Sequence, residues 1–272
     1  MARQAGRRAL VTGASAGLGE AIATELVRSG ARVLICSRDA KHLAAARGRM
    51  ESAVRDRGLY PGVDGWQPPA ACVADVSDEA AAERLARAAR DELGGVDILV
   101  CNAGGPPPGD FSELSDGDWY AAFDLIVLSV IRLVRACLPQ LRESKAGRIA
   151  MVTSLSGLRP IRRLLLSNSL RPAVMGLARH LARELGEDGI LVNAIAPGFF
   201  DTERSREVQE SIAQSKGIGL EQVQRERQAG VPLGRYGEPL ELGRLASFLT
   251  SAENSYLTGQ TLVIDGGLLV SD

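Results

Sequence analysis

The sequence predicts an α/β fold: one doubly wound parallel sheet with helices on both faces, spanning residues 1–272. Three observations predict it. Short runs rich in Val and Ile recur along the chain and are apolar on both faces, as strands covered by helices on both sides would be. Segments with helical periodicity lie between them, and strands alternating with helices favour a parallel sheet. No internal repeat and no linker divides the 272 residues, a length within the range of one large α/β domain.

In chain order, the strand runs are residues 9–11, 33–36, 71–74, 98–101, 149–152, 191–196 and 262–264. The clearest helix-period segments are 20–29, 79–92, 119–142, 172–185 and 238–249. Residues 58–69 (GLYPGVDGWQPP) are rich in turn formers and are read as a surface loop before the third strand.

Bulk properties exclude several classes of function. Apolar residues make up 45% and the formal net charge is -1, so there is no electrostatic case for nucleic acid or an anionic membrane. Residues 1–8 are basic but run straight into a strand without an apolar leader, and no stretch is long and apolar enough to span a bilayer; the expected compartment is the cytoplasm. Cys36, Cys72, Cys101 and Cys137 form no C-x-x-C pair and no Cys/His cluster, so reduced thiols are expected and no metal site. The only lysines are Lys41, Lys145 and Lys216, which leaves few sources for a catalytic lysine.

The first strand is followed by Thr12-Gly13-Ala14-Ser15-Ala16-Gly17-Leu18-Gly19, which opens a helix. Glycines there permit a tight turn and let backbone N–H groups approach a pyrophosphate at the helix N-terminus. The second strand ends in Ser37-Arg38. A carboxylate at the end of this strand accepts hydrogen bonds from ribose hydroxyls and repels a 2′-phosphate; Ser37 lacks that charge, and Arg38 offers a cation with a planar donor fork. NADP(H) is therefore predicted over NAD(H).

Further along come Asp75-Val76, Asn102-Ala103-Gly104-Gly105, Pro197-Gly198 with Thr202, Thr258-Gly259-Gln260 and Asp265-Gly266-Gly267. In this order and with the spacing T-G-x-x-x-G-x-G, the chain resembles the short-chain dehydrogenase/reductase family over essentially its whole length. The resemblance implies a Rossmann-type fold, a small-molecule substrate and a homotetramer. It places Gly13, Ser15, Gly17, Leu18 and Gly19 at the cofactor phosphates, Ser37 and Arg38 at the adenosine ribose, and Asp75 and Val76 at the adenine. Asn102, Ala103 and Gly104 fall along the ribose side, Pro197, Gly198 and Thr202 at the nicotinamide end. Asn102 also suits a turn stabiliser between the central strands. The polar stretch 199–233, rich in Arg, Glu and Gln, corresponds to a mobile substrate lid.

At the reaction end the sequence departs from the family. Its carbonyl chemistry rests on an Asn, a Ser, a Tyr and a Lys, with Tyr and Lys four residues apart on one helix face. Ser154, in Thr153-Ser154-Leu155-Ser156-Gly157, matches the serine. Counting from that segment and back from Pro172-Ala173-Val174-Met175-Gly176 gives Ser167 for Tyr and Arg171 for Lys, and Trp119 with Phe123-Asp124 places Ile126 at the Asn position. No shift recovers the missing groups, since no tyrosine lies between 121 and 235 and no lysine between 146 and 215. Ser is a far weaker acid than a phenol of pKa about 10, and Arg retains charge and donors but is a poor proton donor. Arg171 is expected to hold ribose hydroxyls or polarise a substrate oxygen, with Ser154 and Ser167 beside it.

Arg162 and Arg163 precede this helix and are read mainly as a solvated loop face, with an anionic substrate as the minor alternative; one of Ser167, Asn168 and Ser169 is expected to cap the helix. His180 is nine residues past Arg171, on roughly the opposite helix face, and His42 is expected to be solvated. The resulting expectation is an NADP(H)-dependent oxidoreductase with a non-standard proton source. The alternatives are a non-redox isomerase, cyclase or lyase on the same scaffold, or a catalytically silent nucleotide-binding subunit.

Overall fold

A computed structural model describes residues 4–60, 63 and 65–270. Seven parallel strands form one sheet in the order β3-β2-β1-β4-β5-β6-β7. They are β1 (Arg8–Val11), β2 (Arg32–Ser37), β3 (Ala70–Val73), β4 (Ile98–Cys101), β5 (Arg148–Val152), β6 (Leu191–Pro197) and β7 (Thr261–Ile264). The helices are α1 (Gly17–Arg28), α2 (Ala40–Arg57), α3 (Ala81–Leu93), α4 (Asp116–Phe123), α5 (Ser129–Glu143), α6 (Leu165–Glu184), α7 (Glu203–Lys216), α8 (Leu220–Ala229) and α9 (Pro239–Leu249).

Alternation along the central strands sorts the core into two layers. Leu10, Leu34, Leu99, Ile149 and Val192 face one way, with α3, α5 and α6. Ala9, Val11, Val33, Ile35, Val100 and Ile195 face the other, with α1, α2 and α9. Successive strand side chains point to opposite faces, so burial on both requires continuous apolar runs. The prediction of strands covered on both faces fails only at the sheet edges: Val73 of β3 is 48% exposed and Val263 of β7 is 36% exposed. Each edge strand has a neighbour on one side only.

Two helices differ from the sequence expectation. The segment predicted as one helix over 119–142 is helical without a break from residue 116 to 143, but α4 and α5 run into each other through a π-turn at residues 124–128. Such a turn inserts an extra residue per turn and occurs frequently at functional sites. The helix predicted from Pro172 begins a full two turns earlier, at Leu165, and carries Pro172 inside it. Proline normally stops a helix by removing an N–H and crowding the preceding turn. Here Gly157 runs alongside, and a Cβ on it would lie 3.3 Å from the Pro172 nitrogen and 3.1 Å from the Arg171 Cβ. None of Ser167, Asn168 and Ser169 is the cap: the N-cap is Leu164, with no side-chain bond. Asn168 instead closes the preceding loop, accepting from Ile161 N–H and donating to Ile161 C=O, each at 3.0 Å.

Residues 61, 62 and 64 of the predicted surface loop, and residues 1–3 of the basic N-terminus, lie outside the described residues. The loop is anchored at its start by the Tyr60 hydroxyl, which donates to Glu25 at 2.5 Å. Arg8 at the start of β1 is paired with Asp97 just before β4 at 2.6 Å. Desolvation alone would raise the Asp97 carboxyl, but hydrogen bonds from Arg8 and Ser144 outweigh it and hold it at about 2. Among the described residues no helix is long and apolar enough to cross a membrane. All four cysteines are free; burial raises the Cys36 thiol to about 12, as expected of an unreactive core residue.

Candidate functional site

The strand order reverses between β1 and β4, and an open α/β sheet forms its ligand crevice beyond the strand ends at such a switch point. A cleft of about 540 Å³ lies there. Its walls come from the turns after β1, β2, β3 and β4, the end of β5, the start of α6, the end of β6, and α7 and α8.

The turn after β1 is built by close approach. Gly13 and Gly17 have φ of +59° and +58°, the left-handed region that a Cβ disfavours. A Cβ at Gly13 would lie 2.7 Å from Asn102 O, and one at Gly19 would lie 2.1 Å from Gly13 O. Gly19 is buried and does not line the cleft; it lets α1 pack on the turn. The N-cap of α1, Ala16, has no side-chain acceptor, so the first-turn N–H groups are open to an anion. Asn102 clamps the turn by donating to Gly13 O at 3.0 Å, while the Thr12 hydroxyl donates to Asn102 O at 2.8 Å. It therefore joins β1 to β4 and lines the cleft as well.

At the adenosine end, Ser37, Arg38, Asp75 and Val76 line the cleft with His42. The Asp75 carboxylate is occupied by the Ser77 backbone N–H at 3.0 Å and hydroxyl at 2.7 Å. Arg38 is 76% exposed and only 4.0 Å from Asp75, a contact of little energetic consequence that leaves its guanidinium fork available. The residues present thus fit a 2′-phosphorylated dinucleotide.

At the other end, Ser154, Ser167, Arg171, Pro197, Gly198 and Thr202 line the same cleft. Ser154 accepts from Ser156 N–H at 3.1 Å, so its own hydroxyl proton can be directed elsewhere. Ser167 and Arg171 are buried, 5% and 8% exposed, one helical turn apart. Arg171 donates from Nη1 to Val152 O at 2.9 Å, fixing α6 to the end of β5, while its Nε has no partner. Burial, reinforced by the neighbouring Arg204 charge, lowers its pKa to about 10. No tyrosine and no lysine is among the lining residues.

Ile126 does not reach the cleft. It is 2% exposed in the apolar layer, and Leu125, one position earlier in the π-turn, lines the site instead. Arg162 is exposed, and Arg163 is committed to Asp110 and Glu113, bonding Asp110 at 3.1 Å; neither lines the cleft. His180 is an exposed partner of Glu184.

Sequence reasoning missed Arg204 and Arg227. Arg204 lies two residues past Thr202 and donates to Pro106 O at 2.5 Å; Arg227 stacks over the Phe199 ring at 3.7 Å. The position of Arg204 beside the Thr202 motif was a usable signal, whereas Arg227 reaches the site only by the folding back of α8.

Comparison with known proteins gives matches over nearly the full length. The family model described as enoyl-(acyl carrier protein) reductase matches residues 13–269. The oxidoreductase UcpA of Escherichia coli (strain K12) is 37% identical over 274 residues, covering 98% of this chain and 96% of that protein. The crystal structure of an actinorhodin polyketide ketoreductase variant with NADPH is similar at a TM-score of 0.88 and 30% identity, covering 96% of this chain and 97% of the other. An NADP complex of Pseudomonas aeruginosa RhlG matches at a TM-score of 0.84 and 33% identity, covering 98% of each chain.

Proposed function

The chain belongs to the short-chain dehydrogenase/reductase family, and we propose that it is an NADP(H)-dependent oxidoreductase acting on the carbonyl of a small molecule with a non-standard proton source. The observation that carries this is the joining, in one cleft, of an open α1 N-terminus and Arg38 at one end with Ser154 and Arg171 at the other. The NADPH and NADP complexes of two structural relatives support the choice of nucleotide.

The dinucleotide, when bound, supplies or accepts a hydride. The residues position and polarise. Gly13, Ser15, Gly17 and Leu18 form the diphosphate turn, Arg38 meets the 2′-phosphate, Asp75 and Val76 flank the adenine, and Pro197, Gly198 and Thr202 border the nicotinamide. Ser154 directs its hydroxyl to the substrate oxygen. Arg171 remains cationic at neutral pH even at about 10, so it stabilises oxyanion charge as a desolvated hydrogen-bond donor, and the proton reaches that oxygen from solvent. Ser167 supplies a second hydroxyl but no acid. Residues 199–233 act as the lid, with Val208, Ile212 and Val223 of α7 and α8 forming their own small apolar cluster. Association as a homotetramer is proposed from the family resemblance.

Reduced-nicotinamide consumption across ketones, quinones, imines and acyl thioesters tests this. Turnover of at least one class is expected, with Arg171→Met lowering kcat/KM by roughly two to three orders of magnitude, the range for a lost oxyanion donor. NADPH binding without consumption in any class would overturn it. The missing phenol and lysine favour, as second reading, a non-redox isomerase, cyclase or lyase; product formation that persists with oxidised cofactor would establish that one.

A further inference from the structure

The lid end of the cleft carries three arginines, Arg171, Arg204 and Arg227. Among the described residues, Arg171 and Arg227 form no ion pair, and each has a buried Nε without a hydrogen-bond partner. Arg171 is more than nine-tenths buried, and its strongest charged neighbour is another cation, Arg204. Arg227 has its guanidinium carbon 3.7 Å from the Phe199 ring centroid, with the Tyr236 hydroxyl as its polar partner. The carboxylates at this end, Glu203 and Glu207, are both exposed, and Glu207 bonds Arg204 at 2.9 Å.

Buried cations without counter-ions are costly, and a fold that keeps them gains when an anion binds. The cofactor's own anions are accounted for elsewhere: the diphosphate at the α1 N-terminus, the 2′-phosphate at Arg38. Arg204 is pressed against the turn after β4, its Nε lying 2.5 Å from where a Gly105 Cβ would stand, so the bare glycine leaves room for the guanidinium in this position. Contact with the Phe199 ring holds the Arg227 guanidinium in place, and its planar fork is suited to carboxylate or phosphate.

Resting on the oxidoreductase reading above, we propose that the substrate is an acidic carbonyl compound whose carboxylate or phosphate is held by Arg204 and Arg227, with its carbonyl directed toward Ser154 and Arg171. The two arginines then set specificity, and the lid carrying them is ordered by the substrate's charge.

The test is binding to protein saturated with NADP+, which fills the cofactor's phosphate sites. Two pairs of probes separate the anion sources: acetoacetate against methyl acetoacetate, and dihydroxyacetone phosphate against dihydroxyacetone. In one pair the charged member should bind at least about ten-fold tighter, the scale of a charged hydrogen bond. Arg227→Met and the milder, partly exposed Arg204→Gln should each abolish that preference while changing NADPH affinity less than about two-fold. Equal binding within both pairs overturns the proposal, as does an Arg204→Gln loss of NADPH affinity as large as its loss of probe affinity. The assay requires no turnover. A charged-over-neutral preference without NADPH consumption would therefore sink the redox reading alone, and consumption confined to neutral carbonyls would sink this proposal alone.

Discussion

At the scale of single residues, Ser37 and Arg38 line the adenosine end of the cleft and are proposed to select the nucleotide. Arg38 is exposed, and Asp75 touches it only at 4.0 Å, so little must be broken before it meets a 2′-phosphate. Arg38→Asp removes a charge-assisted fork and sets a carboxylate against the phosphate, and NADPH affinity should fall by roughly ten- to a hundred-fold while NADH gains relative to it. Titration of both nucleotides into both proteins measures this; equal or tighter NADH binding by the parent chain would defeat the assignment. These residues were legible in the sequence because they follow a strand end at fixed spacing, where local backbone geometry sets position. Ser167 and Arg171 were legible by counting from the matching segments on either side, residues 153–157 and 172–176. The burial of Arg171 against the end of β5 was not, nor was the nearness of the Arg204 charge, since both depend on residues distant along the chain.

At the scale of elements, the helical segment 116–143 shows what periodicity leaves out. The apolar periodicity of residues 119–142 predicts one helix, and the π-turn inside it leaves that pattern nearly intact while shifting every following side chain around the axis. Within that turn Leu125 lines the cleft and Ile126 lies in the apolar layer. Restoring the family's residue by Ile126→Asn therefore places an amide among Ile and Leu side chains rather than beside substrate. It should destabilise the fold by about 2–4 kcal/mol, combining lost apolar burial with an unsatisfied polar group. Chemical denaturation of the single variant measures it, and a change under about 0.5 kcal/mol would show that the amide finds partners in the site after all. The early start of α6 was hidden for a different reason. Pro172 is a strong local stop, and what overrides it, the packing of Gly157 and the closure of the loop by Asn168, is tertiary.

At the scale of the whole molecule, the alternation of apolar strands and helical segments was enough to give the sheet, because burying both faces of a parallel sheet leaves few other ways to cover it. The uncovered edges were not legible, since which strand ends the sheet is a property of strand order. The same order gathers the ends of β1, β2, β4, β5 and β6 around one cleft, whose lining comes from segments between residue 13 and residue 227. These segments come together only in the folded chain, and a ligand that binds the folded state alone stabilises it by RT ln(1 + [L]/Kd), about 2.7 kcal/mol at a hundred-fold excess over Kd. For a chain of this length each kcal/mol raises the melting temperature by about 2–4 °C, so NADPH at that excess should raise it by about 5–11 °C. NADH at the same concentration should give much less, because it leaves Arg38 without an anion. Raising salt should narrow the gap, since the extra contact is made by an exposed charge and is screened. Thermal unfolding followed by fluorescence, with each nucleotide at low and high ionic strength, measures all three effects. Equal shifts with both nucleotides at low salt would mean that Arg38 contributes nothing to recognition.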